Sequence, residues 1–225
     1  ILAKYKNAMK AEIGSFKVKN TEKVSTKIFL KDTIENFKIL REIKKIYNFV
    51  ILFLGMNFYS SAMFALLLVI LVKNDSLLFG NVAYTITLLE IMEVLSTIAG
   101  GVYQISFYKN MSLKNNAILE IILFIMYVGN LLLLQNKFIL VILTVIIGYF
   151  AGISNPKLDA LILQSVPEEK QTSIYSIFST IITISVPIGT TVILFFANAI
   201  GASFALYSLL ILLILVLVYS FRVKE

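Results

Sequence analysis

Two carboxylic acids three residues apart, Glu90 and Glu93, lie inside an otherwise apolar and hydroxyl-bearing stretch, NVAYTITLLEIMEVLSTIAGG. Read as a helix, this stretch puts Glu90 about 13–14 Å and Glu93 about 18 Å from its start, near the midplane of a ~30 Å hydrocarbon core. Residues three apart share a helix face, which Thr87 and Thr97 extend. Two carboxylates this close in a low dielectric are not both ionised, because desolvation and like charge oppose it together. They are equipped to carry a proton or to balance a cationic substrate. Acidic groups at such a depth are expected to face a cavity rather than lipid. Asn57 (with Ser60 and Ser61) and Asn130 (with Tyr127) lie in neighbouring apolar runs. They either line the same cavity or tie helices together by hydrogen bonds.

Most other chemistry is excluded by composition. The 225 residues contain no His and no Cys, so imidazole bases, thiol nucleophiles, disulfides and histidine- or thiolate-bound metals are out. The aspartates are Asp32, Asp75 and Asp159, none at a midplane, so no aspartyl dyad is available. A phosphate-binding G-x-x-x-x-G-K-[ST] loop is missing as well. The chain is expected to be no enzyme and to use no cofactor and no metal.

The elements that must position the acidic pair follow from hydropathy. The chain is 59% hydrophobic and 15% charged, with mean hydropathy +0.89; a soluble domain has about 25% charged residues. Six apolar runs are each of the ~20-residue length that spans a bilayer as a helix: Asn48–Val72, Asn81–Gln104, Ala117–Leu134, Phe138–Leu163, Ser173–Ala197 and Ser203–Phe221. They are continuous rather than alternating, which excludes a β-barrel. The expected fold is all-α and polytopic. Its parts are a basic segment 1–47 with an amphipathic helix over 28–47, a six-helix membrane domain 48–221 and a tail 222–225. The amphipathic helix shows Leu30, Ile34, Phe37, Leu40, Ile43 and Tyr47 on one face and Lys31, Lys38, Arg41, Lys44 and Lys45 on the other. Such a helix lies on the anionic surface of a bilayer.

The net charge of +7 resides wholly in residues 1–47, which hold 12 basic and 5 acidic side chains; the remainder balances at 8 and 8. Six spans put both termini on one side. That side also carries Lys109, Lys114, Lys170, Arg222 and Lys224, against Lys73 and Lys137 opposite. By the positive-inside rule both termini are expected in the cytoplasm, with the chain in the cell (plasma) membrane. The charge serves orientation, and no nucleic-acid partner is expected.

Glycine and proline mark candidate moving parts. Gly148 and Gly152 suit close helix packing. Asn155-Pro156 is expected to interrupt the fourth span, and Pro187-Ile188-Gly189 the centre of the fifth, with Thr183, Thr190 and Thr191 able to serve the freed carbonyls. Glu120, Lys157 and Asp159, near the same membrane face, read as a gate or a solvated rim, with Lys157 snorkelling or pairing with either carboxylate.

Residues 148–201, GYFAGISNPKLDALILQSVPEEKQTSIYSIFSTIITISVPIGTTVILFFANAIG, resemble spans ten and eleven of the major facilitator superfamily, above all its drug- and macrolide-efflux-like permeases. The resemblance rests on Asn155-Pro156, Val166-Pro167-Glu168-Glu169, Ser176-x-Phe178-Ser179, Pro187-x-Gly189 and Ala197-Asn198-x-x-Gly201. More weakly it covers 28–221. It implies the C-terminal six-helix half of a twelve-helix secondary transporter whose two halves rock about a central cavity. The Ile1 start agrees with a piece of a longer chain. Implied partners are an N-terminal six-helix half, the lipid bilayer, a small hydrophobic or cationic substrate and protons. Gln171-Thr172-Ser173 replaces the family's basic signature, and GGVYQISFYKN lacks its acidic-Arg signature, so a charge latch on this face is weak or missing. Two alternatives stay open: a six-span permease subunit of an ATP-driven transporter, disfavoured by loops of about ten residues, and a self-dimerising six-helix protein.

Overall fold

A computed structural model describes residues 34, 35 and 37–223, the side chain of Phe107 excepted. The basic stretch 1–27, Leu30, Lys31 and Lys224 lie outside the described residues. Among those described, the chain is helical without a strand, and six helices are long and apolar enough to cross a membrane. They are α1 (Lys44–Lys73), α2 (Val82–Val102), α3 (Leu113–Gly129), α4 (Lys137–Ser165), α5 (Glu168–Ile200) and α6 (Ala202–Arg222). A single helical turn, Ser106–Lys109, lies between α2 and α3, and α3 runs on into a π-helical turn, Asn130–Leu134.

The ends follow local chemistry. Asn81 accepts from the Tyr84 amide (2.8 Å) at the start of α2. Asn136 accepts from the amides of Phe138 and Ile139 at the start of α4. Such caps satisfy amides that the first turn leaves without partners. Glu168 and Glu169 stand in the first turn of α5, where the helix dipole favours them. Gly201, at φ 98°, reverses the chain between α5 and α6 in a conformation that side chains disfavour.

Five of the six helices run longer than the apolar runs, because polar residues at their ends continue the backbone pattern; α2 ends two residues before its run does. The amphipathic segment changes most. Residues 37–42 are helical, but the chain bends at Ile43, and Lys44, Lys45 and Tyr47 belong to α1. Leu40 is buried while Ile34 and Phe37 stay exposed.

The expected helix interruptions do not occur. Pro156 lies within a continuous α4 and Pro187 within a continuous α5. A proline removes one backbone bond, and a long helix held by its neighbours keeps the rest.

The packing has an internal order. The largest interfaces are α1 with α5 and α2 with α4; α3 packs on α4 and α6, and α6 on α1. Exchanging α1–α3 with α4–α6 turns each of these pairings into another of the set. Corresponding helices then run in opposite directions, so the bundle is a three-plus-three repeat of inverted sense. One departure is α5 with α6, which has no α2–α3 counterpart of similar extent.

Loop contacts fix which elements share an end. Ser76 Oγ donates to the Gln135 carbonyl and Lys137 Nζ to that of Leu78, joining the α1–α2 and α3–α4 connections. At the end carrying the termini, Lys114 Nζ donates to the Phe221 carbonyl, and the Tyr219 hydroxyl to Asn48 Oδ1.

Candidate functional site

Glycine seams set the position of the acidic pair. A side chain at Gly148 would meet Ser96, Thr97 and the Glu93 carbonyl; one at Gly152 would meet the Thr97 carbonyl and the Gly101 amide; one at Gly100 would meet the Tyr149 carbonyl. Thus α2 and α4 touch backbone to backbone, as expected of Gly148 and Gly152. Ser96 Oγ donates to the Glu93 carbonyl (2.9 Å), so Glu93 stands on a fixed stretch of backbone.

From that stretch Glu90 and Glu93 both line one pocket of about 60 Å³. Its walls include Ser60, Met63 and Phe64 of α1, Phe124 and Tyr127 of α3, and Thr144 of α4. Glu90 and Glu93 are electrostatic neighbours, and Glu93 also neighbours Tyr127. Tyr127 and Thr144 line the same pocket, and the Thr144 hydroxyl donates to the Leu140 carbonyl. Tyr59, fully buried and set at a tilt against Phe124 with ring centroids 4.7 Å apart, has no hydrogen-bond partner for its hydroxyl. The pocket therefore joins two carboxyl groups to hydroxyl groups on three helices, an arrangement able to accept, hold and release a proton or to oppose a cation.

The remaining expected site residues divide. Asn57, Asn155 and Asp159 come together in a second, wider cavity of about 330 Å³, with Tyr175, Ser179 and Thr183. Asn57 is partly engaged, since its amide donates to the Phe53 carbonyl (3.0 Å). Thr87 is exposed on α2 outside the acidic pocket, and Thr97 packs into the glycine seam. Asn130 is buried at the far end of α3, where it donates to the Asn136 carbonyl and accepts the Asn136 amide. Its amide closes a loop and does not line the pocket. Pro156 and Pro187 are exposed, while Gly189 is buried with its Cα against the Phe58 carbonyl and Ser61 Oγ of α1. Gly189 is thus a close-packing point between α5 and α1.

Lys157 donates to the carbonyls of Tyr108 (3.0 Å) and Met111 (2.6 Å). The Tyr149 hydroxyl donates to the Tyr103 carbonyl and accepts the Ile105 amide, both at 3.1 Å. Two α4 side chains therefore hold the α2–α3 connection by its backbone. Glu120 is not a solvated rim residue. It is buried between α3 and α4, accepting from Ser154 Oγ at 2.5 Å. Tyr59, Thr144, Ser154 and Asn116 were not singled out by spacing, because each is ordinary helix composition until a neighbouring helix is placed beside it.

On their open sides α2 and α5 present Ile91, Val94, Leu95, Ile98, Ile184, Ile188 and Phe195. Comparison of the chain with known protein families, with curated proteins and with solved structures found no match.

Proposed function

We propose that the chain is the six-helix half of a secondary transporter of the major facilitator type. In this reading it exports a small hydrophobic or cationic compound in exchange for protons. The observation that carries the reading is the acidic pocket of α2 within an inverted three-plus-three bundle. Nested repeats of this kind characterise each half of such transporters, and their substrate and coupling-ion sites lie near the midplane at the repeat interface. The open apolar sides of α2 and α5 are then where the other six-helix half rests. Both termini face the cytoplasm of a plasma-membrane protein, on the side rich in Lys and Arg.

Glu90 and Glu93 take protons from outside and release them inside as the halves rock. Tyr127 and Thr144, in the same pocket, offer hydroxyl oxygens to the uncharged carboxyl. The wider cavity around Asn57, Asn155 and Asp159, nearer the end carrying the termini, receives the substrate from the cytoplasmic side. The backbone clasp by Tyr149 and Lys157 keeps α2 and α4 moving as one body.

The test is transport by the full-length protein reconstituted in liposomes, with a fluorescent lipophilic cation as probe. An imposed pH gradient is expected to drive accumulation without ATP. Dependence on ATP and a co-purifying ATPase would overturn the reading in favour of a permease subunit.

A further inference from the structure

The buried face of α3 holds polar groups that the acidic pocket does not use. Leu113, Asn116, Glu120, Leu123 and Tyr127 form one stripe at three- and four-residue steps, all turned inward. Glu120 is 3% exposed, and its partner is Ser154 Oγ of α4. Among the described residues no lysine or arginine forms an ion pair with it. One helical turn earlier, roughly 6 Å along the axis, Asn116 is 0% exposed and neither its amide nitrogen nor its oxygen has a hydrogen-bond partner. Leaving a buried amide unpaired is costly, and an uncompensated buried carboxylate costs more.

Nearby charged and titratable groups are committed elsewhere. On α3, Tyr127 lines the acidic pocket and Lys114 meets the Phe221 carbonyl. On α4, Lys157 and Tyr149 hold the α2–α3 connection, and Asp159 lines the wider cavity. On α6, Tyr219 meets Asn48, and Arg222 ends the helix.

We propose that Asn116, Glu120 and Ser154 form a buried site for one small monovalent cation, a proton or Na⁺, separate from the Glu90/Glu93 pocket. The carboxylate supplies the charge, and the Ser154 and Asn116 oxygens are hard ligands for Na⁺. With a proton instead, the neutral carboxyl donates its hydrogen to the Asn116 amide oxygen. Either ion uses the oxygen that is otherwise unpaired and neutralises the carboxylate. The proposal does not depend on transport.

The experiment is thermal unfolding of the purified full-length protein carrying Glu90→Gln and Glu93→Gln, which removes the acidic pocket from the response. One arm replaces choline with Na⁺ at fixed alkaline pH; the other lowers pH without Na⁺. A ligand that binds the folded state alone raises its unfolding temperature with concentration. A rise of several degrees is expected in the Na⁺ arm if the ion is Na⁺, and in the acid arm if it is a proton. Adding Glu120→Gln is expected to flatten that response. Ser154→Ala, a milder change that keeps the carboxylate, is expected to move it to roughly tenfold higher ion concentration. An unchanged response in both variants, or no response in either arm before they are introduced, would overturn the site.

Discussion

The α2–α4 pair and the α1–α5 pair are equivalent positions of one repeat, yet they are built differently. The first is closed by Gly100, Gly148 and Gly152, with backbone against backbone, and carries the two glutamates beside a pocket of about 60 Å³. The second has one such glycine, Gly189, and adjoins a cavity of about 330 Å³ lined by Asn57, Asn155 and Asp159. Close approach fixes the backbone from which Glu93 projects; in the proposed reading, that suits a group that gains and loses a proton at one place. Space suits a substrate whose shape varies. The difference suggests one scaffold used twice, once for precision and once for volume.

The sharpest way to break this contrast is to add one methyl group to each pair. Gly152→Ala drives a Cβ into the Thr97 carbonyl and the Gly101 amide, neither of which can move without the helix. Overpacking of this kind costs about 1–3 kcal/mol, and the upper end is expected, read as a lowered unfolding temperature of purified protein. Gly189→Ala meets the Phe58 carbonyl and the Ser61 hydroxyl. The neighbouring cavity lets these helices part, so about half that loss is expected. Equal losses would remove the distinction between a tight and a roomy pair.

Smaller changes sharpen it. Tyr149→Phe removes the hydroxyl that bridges Tyr103 and Ile105. About 1 kcal/mol is expected to be lost, the typical worth of such bonds. Limited proteolysis within 103–111 should quicken accordingly. Gly129→Ala should do the reverse: Gly129 is helical, at φ −57° and ψ −42°, and a Cβ there meets nothing within 4 Å. A gain of up to about 1 kcal/mol is expected from helix propensity alone. A loss there would mean that α3 needs its glycine for motion.

Several of these features were visible before any helix was placed. Hydropathy located all six helices, and the three-residue step placed Glu90 and Glu93 in one pocket. Gly148 and Gly152 announced a close seam. Other residues depended on what only packing decides. Asn130 read either as a cavity residue or as a tie between helices; it is the tie, bonding Asn136 at the start of α4. Pro156 and Pro187 suggested breaks, whereas α4 and α5 continue because each loses one bond among many. Glu120 looked like a rim residue since the apolar run starts at Ala117. The helix in fact starts at Leu113, capped by Ser112, and α4 covers the carboxyl with Ser154. Asp159, four residues after Asn155, was read as gating and lies with Asn155 on the wall of the wider cavity.

The central claim is that the Glu90 and Glu93 carboxyl groups, carried by the α2 helix beside its glycine seam with α4, couple the proton to the substrate. It is tested most directly by comparing two activities of one variant, Glu93→Gln, in liposomes holding the full-length protein. Exchange of a labelled lipophilic cation across the membrane needs only alternating access, whereas uphill accumulation driven by a pH gradient needs the proton site. The expected result is exchange within about twofold of the unsubstituted protein, with uphill accumulation lost by at least roughly tenfold, equivalent to about 1.4 kcal/mol. Accumulation that survives Glu93→Gln, alone and together with Glu90→Gln, would contradict it.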